Sequence, residues 1–161
     1  MFDKIQIIII AILIPAGALY WYTNSKHISV MEIFYPGTSV MRVGDIPARV
    51  EIANTEAERI QGLSGRKEFG DKVNGMLFVF PNSDYHGIWM KDMNFPIDII
   101  WINRDLVIVG IDKNVSPDSY PKTFRPSEPV QFILETDVHY ADAFGIAPGQ
   151  KVVLPKKYLE D

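Results

Sequence analysis

The sequence contains no cysteine in its 161 residues. This absence excludes disulfide bonds, thiolate-ligated metal sites, a thiol nucleophile and the lipid-modified cysteine of some bacterial membrane proteins. Nearly half of the residues are hydrophobic, so a chain of this length can bury a core large enough to fold without disulfides. An oxidising compartment is therefore compatible with the sequence.

Basic residues are in the minority. The chain has 16 lysines and arginines against 20 aspartates and glutamates, which gives a net charge of −4. A mildly acidic domain lacks the basic surface that binds a phosphate backbone, so we expect no nucleic-acid partner. The H-E-x-x-H metal helix, the glycine-rich phosphate loop and the G-x-S-x-G nucleophile turn are also absent. No common hydrolase or nucleotide-binding signature is therefore present.

One long hydrophobic run lies at the N-terminus. Residues 5–22 carry no charged side chain and are flanked by Lys4 and Lys26. About 17–25 apolar residues are needed to span a bilayer as a helix, so this run is long enough for a membrane anchor. The alternative is a cleaved signal peptide, in which Pro15 breaks the helix and the small residues 16–18 supply the cleavage pattern.

Both interpretations place the rest of the chain outside the cytoplasm. We expect residues 1–22 to be the anchor or signal peptide, residues 23–37 to be a spacer, and residues 38–161 to form a single β-rich domain. The domain would then face the periplasm or the cell exterior on a membrane helix, or be secreted after cleavage.

The domain sequence alternates short apolar segments with frequent turn residues, which predicts a mainly β fold. We expect an antiparallel β-sandwich or small barrel of about eight short strands, behind the N-terminal hydrophobic helix. One short helix is predicted at about 55–63, because Thr55 and Glu58 have capping-box spacing. The long proline-containing loop 112–129 is predicted to be functional or to cover a sheet edge. The predicted strands are 40–43, 49–53, 75–80, 87–91, 97–102, 106–111, 130–135 and 151–154.

Several motifs in a fixed order resemble the family known as domain of unknown function 192. The resemblance spans about residues 40–155 and implies a compact, mostly β domain of prokaryotic proteins, often behind an export signal. It implies a fold and no reaction. The motifs that carry it are Arg59-x-x-Gly62-Leu63-x-x-Arg66, Gly75-Met76-Leu77-Phe78-x-Phe80, Trp89-Met90-Lys91, Pro96-Ile97-Asp98-Ile99 and Leu134-Glu135.

Two arginines and two carboxylates are the first candidate site residues. Arg59 and Arg66 are seven residues apart, so a continuous helix would place both on one face, where they could clamp an anion. Asp98 lies in an apolar strand, so it is predicted to need a partner or to have a shifted pKa, and Glu135 ends another apolar strand. The carboxylates are weak candidates for a general acid and base. The alternative is structural: the carboxylates form salt bridges with the arginines or Lys91, and the arginines pair with these carboxylates or with helix-end carbonyls and fix the helix to the sheet.

Trp89 and Lys91 are the second candidate group. In an extended strand these two side chains point to one face and Met90 to the other. An exposed tryptophan beside a lysine would suit a sugar ring or a cation, whereas the alternative is that Trp89 packs in the core.

A soft-metal site is a further alternative. His86, Met90, Met93 and His139 carry imidazole and thioether groups of the kind that bind Cu(I), although methionines among aromatics more often fill a core.

The sequence therefore predicts a non-catalytic binding or interaction module of the cell envelope, with no cofactor and no resident metal. Its possible partners are the membrane, through the N-terminal helix, and a small molecule, glycan or protein. An envelope hydrolase of glycans or esters that uses Asp98 and Glu135 is the alternative, and a copper-binding protein is the second alternative. The predicted ligand-binding residues are Arg59, Arg66, Trp89, Lys91, Asp98 and Glu135.

Overall fold

A computed structural model describes Tyr35 and residues 37–159. The chain divides into two units, residues 1–39 and 40–161, and the features below belong almost entirely to the second. The predicted anchor at 1–22 lies outside the described residues, as does most of the predicted spacer at 23–37. Among residues 37–159, none of the helices has the length and apolarity that crossing a bilayer requires.

The described residues form a mainly β domain, as predicted. Seven strands make one sheet in the order β6-β5-β8-β3-β2-β1-β9, and β4 and β7 pair as a separate ribbon. The two short α-helices of the described part lie in connections between strands. The strands are β1 (Thr38–Val43), β2 (Ile46–Ala53), β3 (Gly75–Asp84), β4 (Ile88–Trp89), β5 (Ile97–Ile102), β6 (Ile108–Val115), β7 (Thr123–Phe124), β8 (Val130–Asp137) and β9 (Val152–Val153), and the helices are α1 (Glu56–Gln61) and α2 (Tyr140–Ala143).

The sheet curls until its edge strands meet. Val107, just before β6, forms an antiparallel bridge with Lys151, just before β9. The N–H of Val152 also donates to the carbonyl of Leu106 at 2.8 Å. These bonds satisfy backbone groups at both edges that would otherwise be open to pairing with another chain. The fold is therefore closer to a small barrel than to a two-sheet sandwich.

Both faces of the central strands are covered. All six residues of β5 are buried, which is the pattern of a strand with a core on each side. Ile100 and Leu134 belong to the core enclosed by the curl, whereas Ile99 and Ile133 belong to a second core on the other face. The opposite assignment of neighbouring residues follows from the two-residue period of a strand.

The strand pairing is not wholly antiparallel, and this corrects the prediction. Strands β2 and β3 pair in parallel, with Val50 opposite Gly75 and Ile52 opposite Leu77. Parallel neighbours need a long crossover, and residues 54–74 supply it, with α1 at its start.

Helix α1 begins as the capping-box spacing predicts. The Thr55 hydroxyl accepts from the N–H of Glu58 at 3.2 Å, and the Glu58 carboxylate accepts from the N–H of Thr55 at 2.9 Å. The helix is shorter than expected and ends before Gly62, which has a φ of +45°. The chain can therefore turn back over the sheet directly after α1.

Candidate functional site

Glu135 is a buried carboxyl group in the middle of the sheet. It lies in β8 between Met76 of β3 and Ile99 of β5, and its residue is 4% exposed. Its Oε2 atom has no hydrogen-bond partner among the described residues. Burial disfavours the charged form and raises the pKa of Glu135 to about 8. The carboxyl group is therefore protonated and neutral at pH 7.

A small cavity lies over Glu135. Its volume is about 50 Å³, and it is lined by residues 59–64, Phe78, residues 87–89, Met93 and Glu135. The wall therefore combines α1 and the turn after it, one residue of β3 and the start of the β4 ribbon. Most of the residues in this wall are apolar. Glu135 is therefore the ionisable group of the wall whose hydrogen-bonding capacity is still unused and could serve a polar ligand atom.

Two glycines allow neighbouring segments of the cavity wall to approach one another closely. A Cβ atom at Gly62 would lie 3.2 Å from the Phe78 ring, and the positive φ of Gly62 strains any other residue. A Cβ atom at Gly87 would lie 2.6 Å from the methyl group of Thr123, so glycine permits the close approach of β4 and β7. The turn after α1 and the ribbon can therefore both lie near Glu135.

Trp89 forms an exposed rim of the cavity. It is 52% exposed, and its ring meets the ring of Tyr120 edge to face, with centroids 6.4 Å apart. The ammonium group of Lys91 lies 6.0 Å from the centroid of Trp89. The Ser64 hydroxyl donates to the carbonyl of Lys91 at 2.8 Å, which ties this segment to the turn after α1. A half-exposed aromatic side chain thus stands next to the cavity.

Comparison with known proteins places this domain in a family. Residues 39–154 match the model of domain of unknown function 192 (DUF192), described as "Uncharacterized ACR". The chain belongs to the DUF192 family. No curated protein matches it.

Two solved structures share the fold of this DUF192 domain. One is a protein of unknown function from Novosphingobium aromaticivorans, with 30% identity and a TM-score of 0.66 over 73% of this chain and 85% of that chain. The other is a candidate transcription regulator from Sinorhizobium meliloti, with 28% identity and a TM-score of 0.63 over 70% of this chain and 88% of that chain. The DUF192 resemblance seen in the sequence is thereby confirmed, and it extends to the fold.

The two arginines of the DUF192 domain do not form an anion clamp. The Nη1 atom of Arg59 donates to the carbonyls of Asn54 at 2.6 Å and Val79 at 2.8 Å, which fastens α1 to β3. Arg66 pairs instead with Glu51 of β2 at 2.7 Å. Arg59 lines the cavity and Arg66 does not. The predicted salt bridges with Asp98 or Glu135 are not formed, whereas the predicted bonding of an arginine to backbone carbonyls that fixes the helix to the sheet is seen for Arg59.

Asp98 is a structural group on the other face of the sheet. It stands opposite Thr136, one position away from the pair that contains Glu135. Its Oδ1 accepts from the N–H of Asn114 at 2.9 Å, and its Oδ2 accepts from the N–H of Ala141 at 3.0 Å in the first turn of α2. The pairing of β5 with β6 shifts register at Asp98, so its carboxylate satisfies a backbone group that the bulge leaves unpaired.

The four residues of the copper hypothesis are not brought together. Met90 is buried in the second core with Met93 packed against it, whereas His139 is exposed next to α2, whose Tyr140 belongs to the enclosed core. His86 stacks on Phe80. Among the described residues no three His, Asp or Glu side chains form a possible metal cluster.

The sequence predicted Arg59, Trp89 and Glu135 as site residues, but not the turn after α1 or Tyr120. Gly62 and Leu63 of that turn were visible in the sequence as part of the family motif. Tyr120 comes from the long loop at 112–129, which was predicted to be functional or to cover an edge. That loop supplies β7, the partner of β4, and so builds the ribbon that holds Trp89.

Proposed function

We propose that this DUF192 domain is a non-catalytic binding module of the cell envelope, and that it takes a small polar group of its ligand into the cavity over Glu135. The observation that carries the proposal is that Glu135, whose carboxyl group has an oxygen without a partner among the described residues, lines that cavity. A buried polar atom without a partner costs about 1–3 kcal/mol, and a ligand that bonds to it recovers that cost.

The rim supports a binding role. Trp89 exposes half of its surface next to the cavity, and Tyr120 braces it from one side. Exposed aromatic rings are common contact points for ligands because they offer a large apolar surface at little entropic cost.

The location rests on the N-terminal sequence. Residues 5–22 form an uncharged hydrophobic run, and an anchor or a signal peptide would both deliver the domain to the outside of the cytoplasm. The net negative charge of the chain argues against a nucleic-acid partner for this protein.

The hydrolase alternative is less well supported. A glycosidase needs two carboxyl groups that flank one bond, roughly 5–10 Å apart across the same site. Asp98 and Glu135 point to opposite faces of the sheet, and both oxygens of Asp98 accept backbone hydrogen bonds. Since Glu135 is the one carboxyl group among the described residues that line the cavity, it is better suited to holding a ligand than to cleaving one.

A thermal-shift screen tests the binding role. The full-length chain, in a polyoxyethylene-ether detergent that has no sugar head group, is heated with mono- and oligosaccharides, peptidoglycan fragments and metal salts. A ligand present at one hundred times its Kd stabilises the folded state by about 2.7 kcal/mol, which raises Tm by roughly 10 °C. We expect at least one organic ligand to do this for the wild-type protein and for the control Glu128→Gln, but not for Glu135→Leu. If no ligand raises Tm, or if Glu135→Leu responds as the wild type does, the proposal is wrong.

A further inference from the structure

The chemistry of the cavity limits what can enter it. Glu135 has no ion pair with either nearby arginine, since Arg59 bonds to two backbone carbonyls and Arg66 bonds to Glu51. A neutral carboxyl group donates one hydrogen bond and accepts others. Its best partner is therefore a group that also does both, and a hydroxyl group meets that requirement without burying a charge.

The size of the cavity gives a second limit. About 50 Å³ is open to the centre of a water molecule, which is room for a small polar group such as a hydroxyl or hydroxymethyl group. The side walls include Leu63, Phe78 and Ile88, which suit the carbon of such a group. A ring that carries the hydroxyl can lie at the rim while the hydroxyl enters the cavity.

The rim offers a place for that ring. Trp89 presents a half-exposed indole there, and the C–H face of a sugar stacks well on an aromatic plane. The cations in this region include Lys91, whose ammonium lies 6.0 Å from the Trp89 centroid, Arg59 in the cavity wall, and Arg125, whose guanidinium lies next to Gly87. All three would repel a cationic ligand, and a carboxylate in the cavity would have to be buried against the carboxyl of Glu135. A neutral ring is left as the best match.

We propose, on the basis of the binding function above, that the ligand is a neutral hydroxylated ring of a glycan. The ring stacks on Trp89 and places one hydroxyl or hydroxymethyl group in the cavity, where it exchanges hydrogen bonds with Glu135. Trp89 selects for a ring, and Glu135 selects for an uncharged polar substituent on it.

Matched sugars that differ in charge test this inference. The neutral panel contains triacetylchitotriose, cellotriose, maltotriose and mannotriose. The cationic probe is deacetylated chitotriose, which keeps the ring and the linkage of the first neutral sugar, and the anionic probe is trigalacturonic acid. The Kd of each is measured at pH 6.5 by titration calorimetry on the full-length chain in the same polyoxyethylene-ether detergent. We expect at least one neutral trisaccharide to bind at least ten-fold more tightly than both charged probes.

Four variants connect that binding to the two residues. Trp89→Ala and Glu135→Leu should weaken the neutral sugar at least ten-fold, because each removes one of the two contacts. Trp89→Phe and Glu135→Gln keep an aromatic face and a donor–acceptor group, so they should stay within about three-fold of the wild type. Circular dichroism of each variant checks that the fold is intact.

The outcomes separate this inference from the binding proposal. If a charged probe binds most tightly and is lost in Glu135→Leu, the cavity binds ligands but the neutral-ring assignment is wrong. If no neutral trisaccharide binds, or if Trp89→Ala binds it as the wild type does, the assignment is also wrong. Absence of any stabilising ligand in the wider thermal-shift screen overturns the binding proposal itself.

Discussion

Asp98 and Glu135 lie on neighbouring strands one position out of register, so their carboxyl groups point to opposite faces of the sheet. Asp98 stands opposite Thr136, whereas Glu135 stands opposite Ile99. Asp98 accepts two backbone hydrogen bonds, and Glu135 leaves one oxygen without a partner among the described residues. One carboxyl group therefore stabilises the fold, and the other is the group that we propose a ligand contacts.

The stability of the domain should fall as the pH rises through the range set by Glu135. The unfolded chain releases this proton near pH 4.5, whereas the folded state keeps it until about pH 8. The folded state binds more protons between these values, so the free energy of unfolding decreases as the pH increases across them. The shift of the pKa from 4.5 to about 8 changes the free energy of unfolding by at most about 5 kcal/mol. Urea denaturation at a series of pH values from 4 to about 9 measures it.

The control for that measurement is Glu135→Gln, which has the same shape and no ionisable proton. Subtracting its pH profile from that of the wild type removes the contribution of all other titrating groups. The free energy of unfolding of the wild type minus that of Glu135→Gln should decrease as the pH rises. A difference that stays constant from pH 5 to about 9 would contradict the raised pKa.

Loss of the Asp98 carboxylate should destabilise the domain without involving the cavity. Asp98→Ala leaves the N–H groups of Asn114 and Ala141 without their acceptor, which should cost about 3 kcal/mol of the free energy of unfolding. Asp98→Asn keeps one oxygen acceptor and should cost less. Asp45→Ala is the control, because its carboxylate is fully exposed and pairs only with Arg42 on the surface. Equal stability of Asp98→Ala and Asp45→Ala would show that Asp98 is not a structural group.

Gly75 should be intolerant of any side chain. A Cβ atom there would lie well inside the contact distance of the Glu135 carbonyl oxygen on β8. Gly75→Ala must therefore push β3 and β8 apart, and we expect a loss of about 3 kcal/mol in the free energy of unfolding. Gly70→Ala is the matched control, since its added Cβ would lie 3.2 Å from the end of the flexible Glu51 side chain and at an ordinary contact distance of 3.7 Å from Val73. A Gly75→Ala protein as stable as Gly70→Ala would mean that the β3–β8 pairing differs from the one described.

Local patterns in the sequence predicted the elements well. The capping box of Thr55 and Glu58 located the start of α1, and the apolar run at 97–102 gave β5 with the observed bounds. These features depend on neighbouring residues only. The exposure of Trp89 next to Lys91 was one of two predicted possibilities, and the structure selects it.

Features that depend on distant residues were not predictable from those patterns. The alternation along β8 predicts that neighbouring residues point to opposite faces of the sheet. It does not predict whether Asp98 points to the same face as Glu135, because that depends on the register of β8 with β5. The partner of Arg66 is Glu51, from a strand fifteen residues earlier in the chain.

The parallel pairing of β2 with β3, in contrast, had a visible signal in the sequence. A helix lies between the two predicted strands, and such a connection is typical of a parallel crossover.

The proposed binding role depends most on Glu135 being a buried and neutral carboxyl group that lacks a partner among the described residues. The most direct test is an NMR titration of the Glu135 side-chain carboxyl carbon in the full-length chain, assigned by comparison with Glu135→Gln. We predict a pKa of about 8, with the group protonated at pH 7. A pKa near the ordinary value of 4.5 would show that the group is charged and solvated or paired, and would contradict the account.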